Sequence, residues 1–376
     1  MVGLRDGDRL DAKIVSLGDI KMHLKILEAG NARSTEATAA AGALARLTDN
    51  DAANCAAIVD AGGIELLVAL VTNGAARGQE QAMWTLFHLA DDAANKDAIR
   101  EAGGIAPLVA LARSGSAGGK QVAAAAALAS LAVHNDANQT AIAAAGGIAP
   151  LVAILRRSGA AGGNAAGALT NLALKAANRT AIVEAGAIPP LVALLRSGEE
   201  KAVMALNNLA CNRDACTAIA EAGAIPPIVA LLKNGKALGQ ECAARALWNL
   251  AFKNAANKVA IVAAGAVDPL YALARAGGSL KAAAVGALKE LKRHALAWAL
   301  RHRKRRIYPL LLATGATIPP HAEDAYLRKV AAAGGFPAYE KAHRQAFDAL
   351  AAKAFPCLPT DVTAHVASFA FHVGYY

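Results

Sequence analysis

Apolar positions along most of this chain return in two fixed forms. One is a Leu-Val-x-Leu run shortly after proline, as in Leu108-Val109-Ala110-Leu111 after Pro107. The other is a Leu-x-x-Leu segment, usually preceded by alanine, that closes at Leu47, Leu89, Leu131, Leu172, Leu209, Leu250 and Leu291. A small-residue punctuation runs in phase with both: Ala61-Gly62-Gly63-Ile64, then the same form from Ala102, Ala145, Ala185, Ala222 and Ala264, at steps of 41, 43, 40, 37 and 42 residues. Two independent markers with one period exclude chance. A period near 40 in an Ala/Leu-rich chain predicts a helical solenoid, each unit burying its apolar face on the next.

Each unit divides into three predicted helices. The first is short, with Asn54, Asn95, Asn138, Asn178 and Asn257 read as its N-caps and the glycine of the punctuation as its stop. The second opens at Pro107, Pro150, Pro190, Pro227 or Pro269, where the missing N–H has no partner to lose. A Ser/Gly loop follows, then an Ala-rich third helix whose small residues admit close neighbours. In the unit from Ala185, the short segment Arg196 to Glu200 stands where a longer loop is usual, which should tilt or tighten the stack there.

The segment Asn178 to Asn208 shows the whole pattern: Asn-x-x-x-Ile, Ala-Gly-Ala-Ile, Pro-Leu-Val-x-Leu-Leu and Ala-Leu-x-Asn-Leu-Ala. It resembles the armadillo repeat. The resemblance implies an all-α, right-handed armadillo superhelix over residues 17–295, one partial repeat and about six following, after an N-terminal tail 1–16. Residues 296–376 read as a helical C-terminal extension that caps the solenoid. Leading into it, Lys292 to Arg306 lacks Pro and Gly and predicts a long basic helix. Tyr308 to Ala316, in the region 307–318, is similar to the end of an ankyrin repeat. Further helices are expected near 322–333, 337–354 and 361–371.

Composition agrees. About a quarter of the chain is alanine and aromatics are only 4 %, so the core rests on small-faced helices; 55 % apolar residues exclude disorder. The net charge is +10, but Lys289 to Arg306 alone holds eight Lys/Arg against Glu290, so no broad basic coat for nucleic acid is expected. Cys55, Cys211, Cys216, Cys242 and Cys357 form no paired motif and read as reduced thiols, with Cys211 and Cys216 as small buried hydrophobes. The opening residues lack the apolar run of a signal peptide, and the longest uncharged stretch, Ala137 to Leu155, is one repeat unit, not a membrane span. Metalloprotease, phosphate-loop and nucleophile-elbow motifs are absent, and His321-Ala322-Glu323-Asp324 reads as a helix start. The expectation is a monomeric protein of the cytoplasm, with the nucleus also open. No catalytic residue, metal or cofactor is expected.

What the resemblance implies about function lies on the third helices. Armadillo proteins bind extended peptides or disordered segments in a concave groove lined by them. The residue before the final Leu-Ala is Arg46, His88, Ser130, Asn171, Asn208, Asn249 and Glu290 in turn. A carboxamide offers a donor and an acceptor to one peptide unit. The alternative is that each Asn only bridges to its neighbouring unit. Trp84 stands one turn before His88, a spacing similar to the Trp-x-x-x-Asn pairs of importin alpha. Glu80, Glu200 and Glu241 lie two turns before their ladder residues, so groove charge is mixed. The expected peptide-binding set is Trp84, His88, Asn171, Asn208, Arg245 and Asn249, with Arg245 pairing an acid of the ligand; Trp248 is assigned to packing. The basic patch Lys292, Arg293, Arg303, Lys304, Arg305 and Arg306 resembles a bipartite import signal. It also suits contact with acidic lipid or nucleic acid, or a solvated helix end. Leu358 to Phe369 is faintly similar to the start of an F-box, which implies a ubiquitin-ligase adaptor. Protein or disordered segments are the expected partners.

Overall fold

A computed structural model describes residues 6–114, 119–157, 159–320 and 322–354. His321, Cys357 and the expected helix near 361–371, with its F-box-like segment, lie outside the described residues.

Every regular element among the described residues is helical. The partial repeat supplies α1 (Asp6–Ala29) and α2 (Thr35–Thr48). Full repeats follow as α3 (Ala52–Asp60), α4 (Gly63–Asn73) and α5 (Ala76–Leu89); α6 (Ala93–Glu101), α7 (Ile105–Arg113) and α8 (Gly119–Ala132); and α9 (Asp136–Ala144), α10 (Ile148–Leu155) and α11 (Ala160–Leu172). Next come α12 (Ala176–Glu184), α13 (Ile188–Arg196) and α14 (Lys201–Leu209); α15 (Arg213–Glu221), α16 (Ile225–Asn234) and α17 (Ala237–Ala251); and α18 (Ala255–Ala263), α19 (Val267–Ala274) and α20 (Gly278–Arg301). The extension adds α21 (Tyr308–Ala313), α22 (Ala325–Ala332) and α23 (Phe336–Ala354). By contacts the chain forms two compact units, Met1–Pro227 and Ile228–Tyr376.

In the first unit the third helices pack in series, α2 on α5, α5 on α8, α8 on α11 and α11 on α14; the second helices α1, α4, α7, α10 and α13 do the same. The glycine punctuation explains the turn between first and second helices. Gly103 sits at φ +77°, a left-handed conformation that costs other residues roughly 1–2 kcal/mol. Its neighbour Gly104 closes the turn by donating to Ile99 O at 2.9 Å. A Cβ at Gly104 would press on Ile99 at 2.9 Å and on Val68 of the preceding repeat at 3.2 Å, so the glycine also sets the distance between repeats. In the second unit α20 packs on α17, α18 and α19, and α21 packs on α20.

Four local expectations are corrected. The repeat asparagines are not N-caps. The caps are Asp51, Asp92, Asn135 and Asn254, three residues earlier, each accepting from the backbone N–H of the later Asn. The Asn itself uses its side-chain amide to tie the first helix to the end of the preceding third helix: Asn54 donates to Leu47 O, Asn95 to Leu89 O, Asn138 to Leu131 O, Asn178 to Leu172 O and Asn257 to Leu250 O, at 2.8–3.1 Å. Second helices begin two residues before the expected proline, at Ile105 and Ile148, with Pro107 and Pro150 still in the first turn, where no earlier carbonyl claims the N–H. The shortening in the fourth full repeat falls in the helix: α14 has 9 residues against 13 in α11 and 15 in α17. The basic helix stops at Arg301, because Lys304 N–H turns back to Ala299 O at 2.8 Å and Arg303 takes φ +53°.

Candidate functional site

The third-helix face of the first unit carries most of the expected groove residues. Trp84 and His88 share one side of α5, both half-buried. Phe87, which the sequence reading passed over, joins them: its ring stands edge-on to Trp84 at 5.6 Å and to His88 at 5.2 Å. Its position three residues after Trp84 is the signal that could have found it. Beyond α5 the face is floored by small residues, Ala126 and Ala129 on α8 and Gly167 on α11, before Met204 on α14.

The asparagine ladder is partly committed to the fold. Asn171 Nδ2 donates to Ala129 O at 3.1 Å and Asn208 Nδ2 to Thr170 O at 3.0 Å, each reaching the third helix of the repeat before. The bridging alternative therefore describes what one N–H of each amide does. The second N–H of Asn171 and its Oδ1 make no bond among the described residues. Asn208 Oδ1 accepts from Asn207 Nδ2 at 3.2 Å. Ser130 Oγ donates weakly to Ala90 O at 3.4 Å.

In the second unit Arg245 and Asn249 stand one turn apart on α17, Asn249 half-buried and Arg245 exposed. Arg245 is already paired within the helix, Nη2 to Glu241 Oε1 at 2.6 Å, and Glu241 also accepts from Ser279 Oγ. Trp248, assigned to packing, covers Gly286 of α20, where a Cβ would meet its ring at 2.6 Å, yet remains 40% exposed. The acids two turns up the helices are occupied as well. The Glu80 carboxylate rests against Gly119, the first residue of α8, where the positive end of the helix dipole favours it.

The cysteines divide. Cys216 is buried, 3.1 Å from Ala210 O, and burial pushes its thiol up, whereas Cys211 is exposed and is not the buried hydrophobe expected of it.

The basic patch is broken into parts. Lys292, half-buried, and Arg293, exposed, lie on α20. Lys304 pairs with Asp268 at 3.2 Å and Arg305 with Asp324 at 3.0 Å. Asp324 also accepts from the backbone N–H groups of Tyr326 and Leu327, which makes it the N-cap of α22. Arg303 and Arg306 are exposed and carry no ion pair among the described residues. Among the described residues no group of His, Cys, Asp and Glu could hold a metal, and no single helix is long and apolar enough to cross a membrane.

Such a stack of three-helix units, with polar side chains repeated on the third helices, is an all-α repeat solenoid. The armadillo/beta-catenin-like repeat model matches residues 51–91, 92–128, 175–205 and 212–252. An engineered protein of solved structure is 36% identical over 61% of this chain and 96% of its own, with a TM-score of 0.56. A second, at 27% identity and TM-score 0.59, covers 94% of this chain and 98% of its own. A designed armadillo repeat protein solved in complex with the peptide (KR)4 is 26% identical over 61% of this chain and 99% of its own, at TM-score 0.54. No curated protein matches the chain in sequence. The chain belongs to the armadillo-repeat family.

Proposed function

We propose that this protein is a non-catalytic scaffold that binds extended peptide segments along its third helices. The observation that carries the reading is the carboxamide of Asn171, which keeps one N–H and its oxygen unspent beside the small-residue floor of α8. A peptide unit would pair with both atoms. Helices pack about 8–10 Å apart and an extended chain rises about 3.3 Å per residue, so each rung serves two to three ligand residues. Trp84 and Phe87 supply an apolar wall at one end of this face. A designed relative solved in complex with (KR)4, and others designed for modular peptide recognition, support a peptide as the class of ligand. Asn208, Asn249 and His88 would add rungs in their own repeats. Arg245 would have to exchange Glu241 for a ligand acid.

The test is a peptide array, with (KR)4 among the probes, read against the wild type and a Trp84→Ala, Asn171→Ala, Asn208→Ala, Asn249→Ala variant. Retention by the wild type and loss by a still-folded variant supports the scaffold. Equal retention by both places binding elsewhere and removes these residues from the site.

A further inference from the structure

We propose that the solvent face of the C-terminal half of α20, with the turn after it, binds single-stranded nucleic acid. The proposal does not rest on the peptide-binding reading.

Of the eight cations between Lys289 and Arg306, two are neutralised in place by Asp268 and Asp324. The other six, Lys289, Lys292, Arg293, Arg301, Arg303 and Arg306, form no ion pair among the described residues, and all but Lys292 are exposed. The nearest acid in sequence, Glu290, is half-buried and held by Lys258 at 3.2 Å. Exposed Glu323 stands next to Asp324 in sequence.

Helical register sorts these groups into two rows. Lys289, Arg293 and Arg301 are separated by multiples of four residues, so they form a row that rises about 18 Å while winding about 120° around the helix. His294, Trp298 and His302 follow the adjacent face at the same interval. The rings of Trp298 and His302 are stacked at 4.5 Å with 28° between their planes. His302 Nδ1 lies 2.8 Å from Trp298 O, which fixes the imidazole over the indole. His302 is exposed, so the stack ends in a flat face open to solvent. The turn at Arg303 then holds Arg303 and Arg306 against the end of α20.

A row of unpaired cations beside a π platform suits a strand of phosphates and unstacked bases, because every base has a face to stack. An acidic peptide would use the cations but leave the platform idle. A bilayer would call for apolar side chains between the cations, and that position holds only Ala297.

The test uses the full chain and a fluorescein-labelled oligothymidylate of about 20 nucleotides, followed by anisotropy. Binding is expected. With four to five phosphates neutralised at a slope near −0.7 each, raising salt from about 50 to 200 mM should weaken it about 50- to 130-fold. The Arg293→Gln, Arg301→Gln, Arg303→Gln, Arg306→Gln variant should lose binding by a similar factor. His302→Ala, at an exposed position that should not disturb folding, should lose about tenfold with the salt slope unchanged. Quenching of indole emission on binding, lost in Trp298→Phe, would place the bases on the stack. Three results would overturn the proposal: no binding near 50 mM salt, full affinity in His302→Ala, or displacement of the oligonucleotide by equal charge concentrations of polyglutamate or of phosphatidylserine vesicles.

Discussion

Asparagine does two jobs in this protein, and they separate at single residues. Asn138 is fully buried, and its Nδ2 donates to Leu131 O at 3.0 Å and to Lys96 O at 3.1 Å, joining three helices. Asn138→Ala leaves two buried carbonyls without that donor and should cost about 2–3 kcal/mol. Asn171 makes one such bond from a half-buried position, so Asn171→Ala should cost about 1 kcal/mol or less. Urea unfolding of the two variants measures the gap, and equal losses would contradict the division. Cysteine separates in the same way. The thiolate is the reactive species, and burial raises the Cys216 thiol, with nearby Cys211 adding to the shift and Arg213 opposing it. At mildly alkaline pH iodoacetamide should alkylate exposed Cys211 first and reach Cys216 only on unfolding, by mass spectrometry of the two peptides. Early alkylation of Cys216 would show that its site opens in the native state.

Among elements, residue type announced the solenoid more readily than it announced partners. The punctuation glycines named their own places, because a left-handed turn admits few other residues; Gly62, Gly103, Gly146, Gly186, Gly223 and Gly265 all take φ between +71° and +80°. The repeat asparagines were misplaced by three residues because Asn is a favoured N-cap, and the sequence does not show that Asp51, Asp92, Asn135 and Asn254 hold that position already. The end of α20 was hidden for a similar reason: no glycine or proline marks it, and Arg303 adopts the left-handed conformation in glycine's stead. Trp84 and the ladder were visible as a row, yet the 3.1 Å bond that spends one N–H of Asn171 lies 42 residues away in sequence. Element ends also carry a prediction. Asp324 caps α22 and holds Arg305, whose side chain is 72% exposed, so the ion pair itself is screened and adds little. Asp324→Asn, which keeps a capping oxygen, should lose only a few tenths of a kcal/mol, and Asp324→Ala about 1 kcal/mol or slightly more. Equal losses in denaturant titrations would mean that the charge, not the cap, matters.

At the scale of the whole molecule, a stack in which each repeat touches only its neighbours should lose structure from its ends inward. In the first unit α8 has a third helix on either side, α5 and α11, and Ala123 to Leu128 are at most 2% exposed. Its alanines bring backbones close together, so opening α8 means separating both neighbours at once. In the second unit α22 buries only Leu327 and Val330. Hydrogen exchange followed by mass spectrometry should therefore find the slowest amides of the first unit in α8 and α11 and early exchange in α22. Uniform protection along the first unit would mean that it opens as one cooperative block and that the nearest-neighbour picture fails. The Asn138→Ala variant sharpens the same test. Its lost bonds join α6, α8 and α9, so protection should fall there first, while α1, with the repeat α3 to α5 in between, keeps its own rate. A drop that reached α1 equally would show coupling along the whole unit, and peptide binding at Trp84 would then be felt at Asn208 without any contact between them.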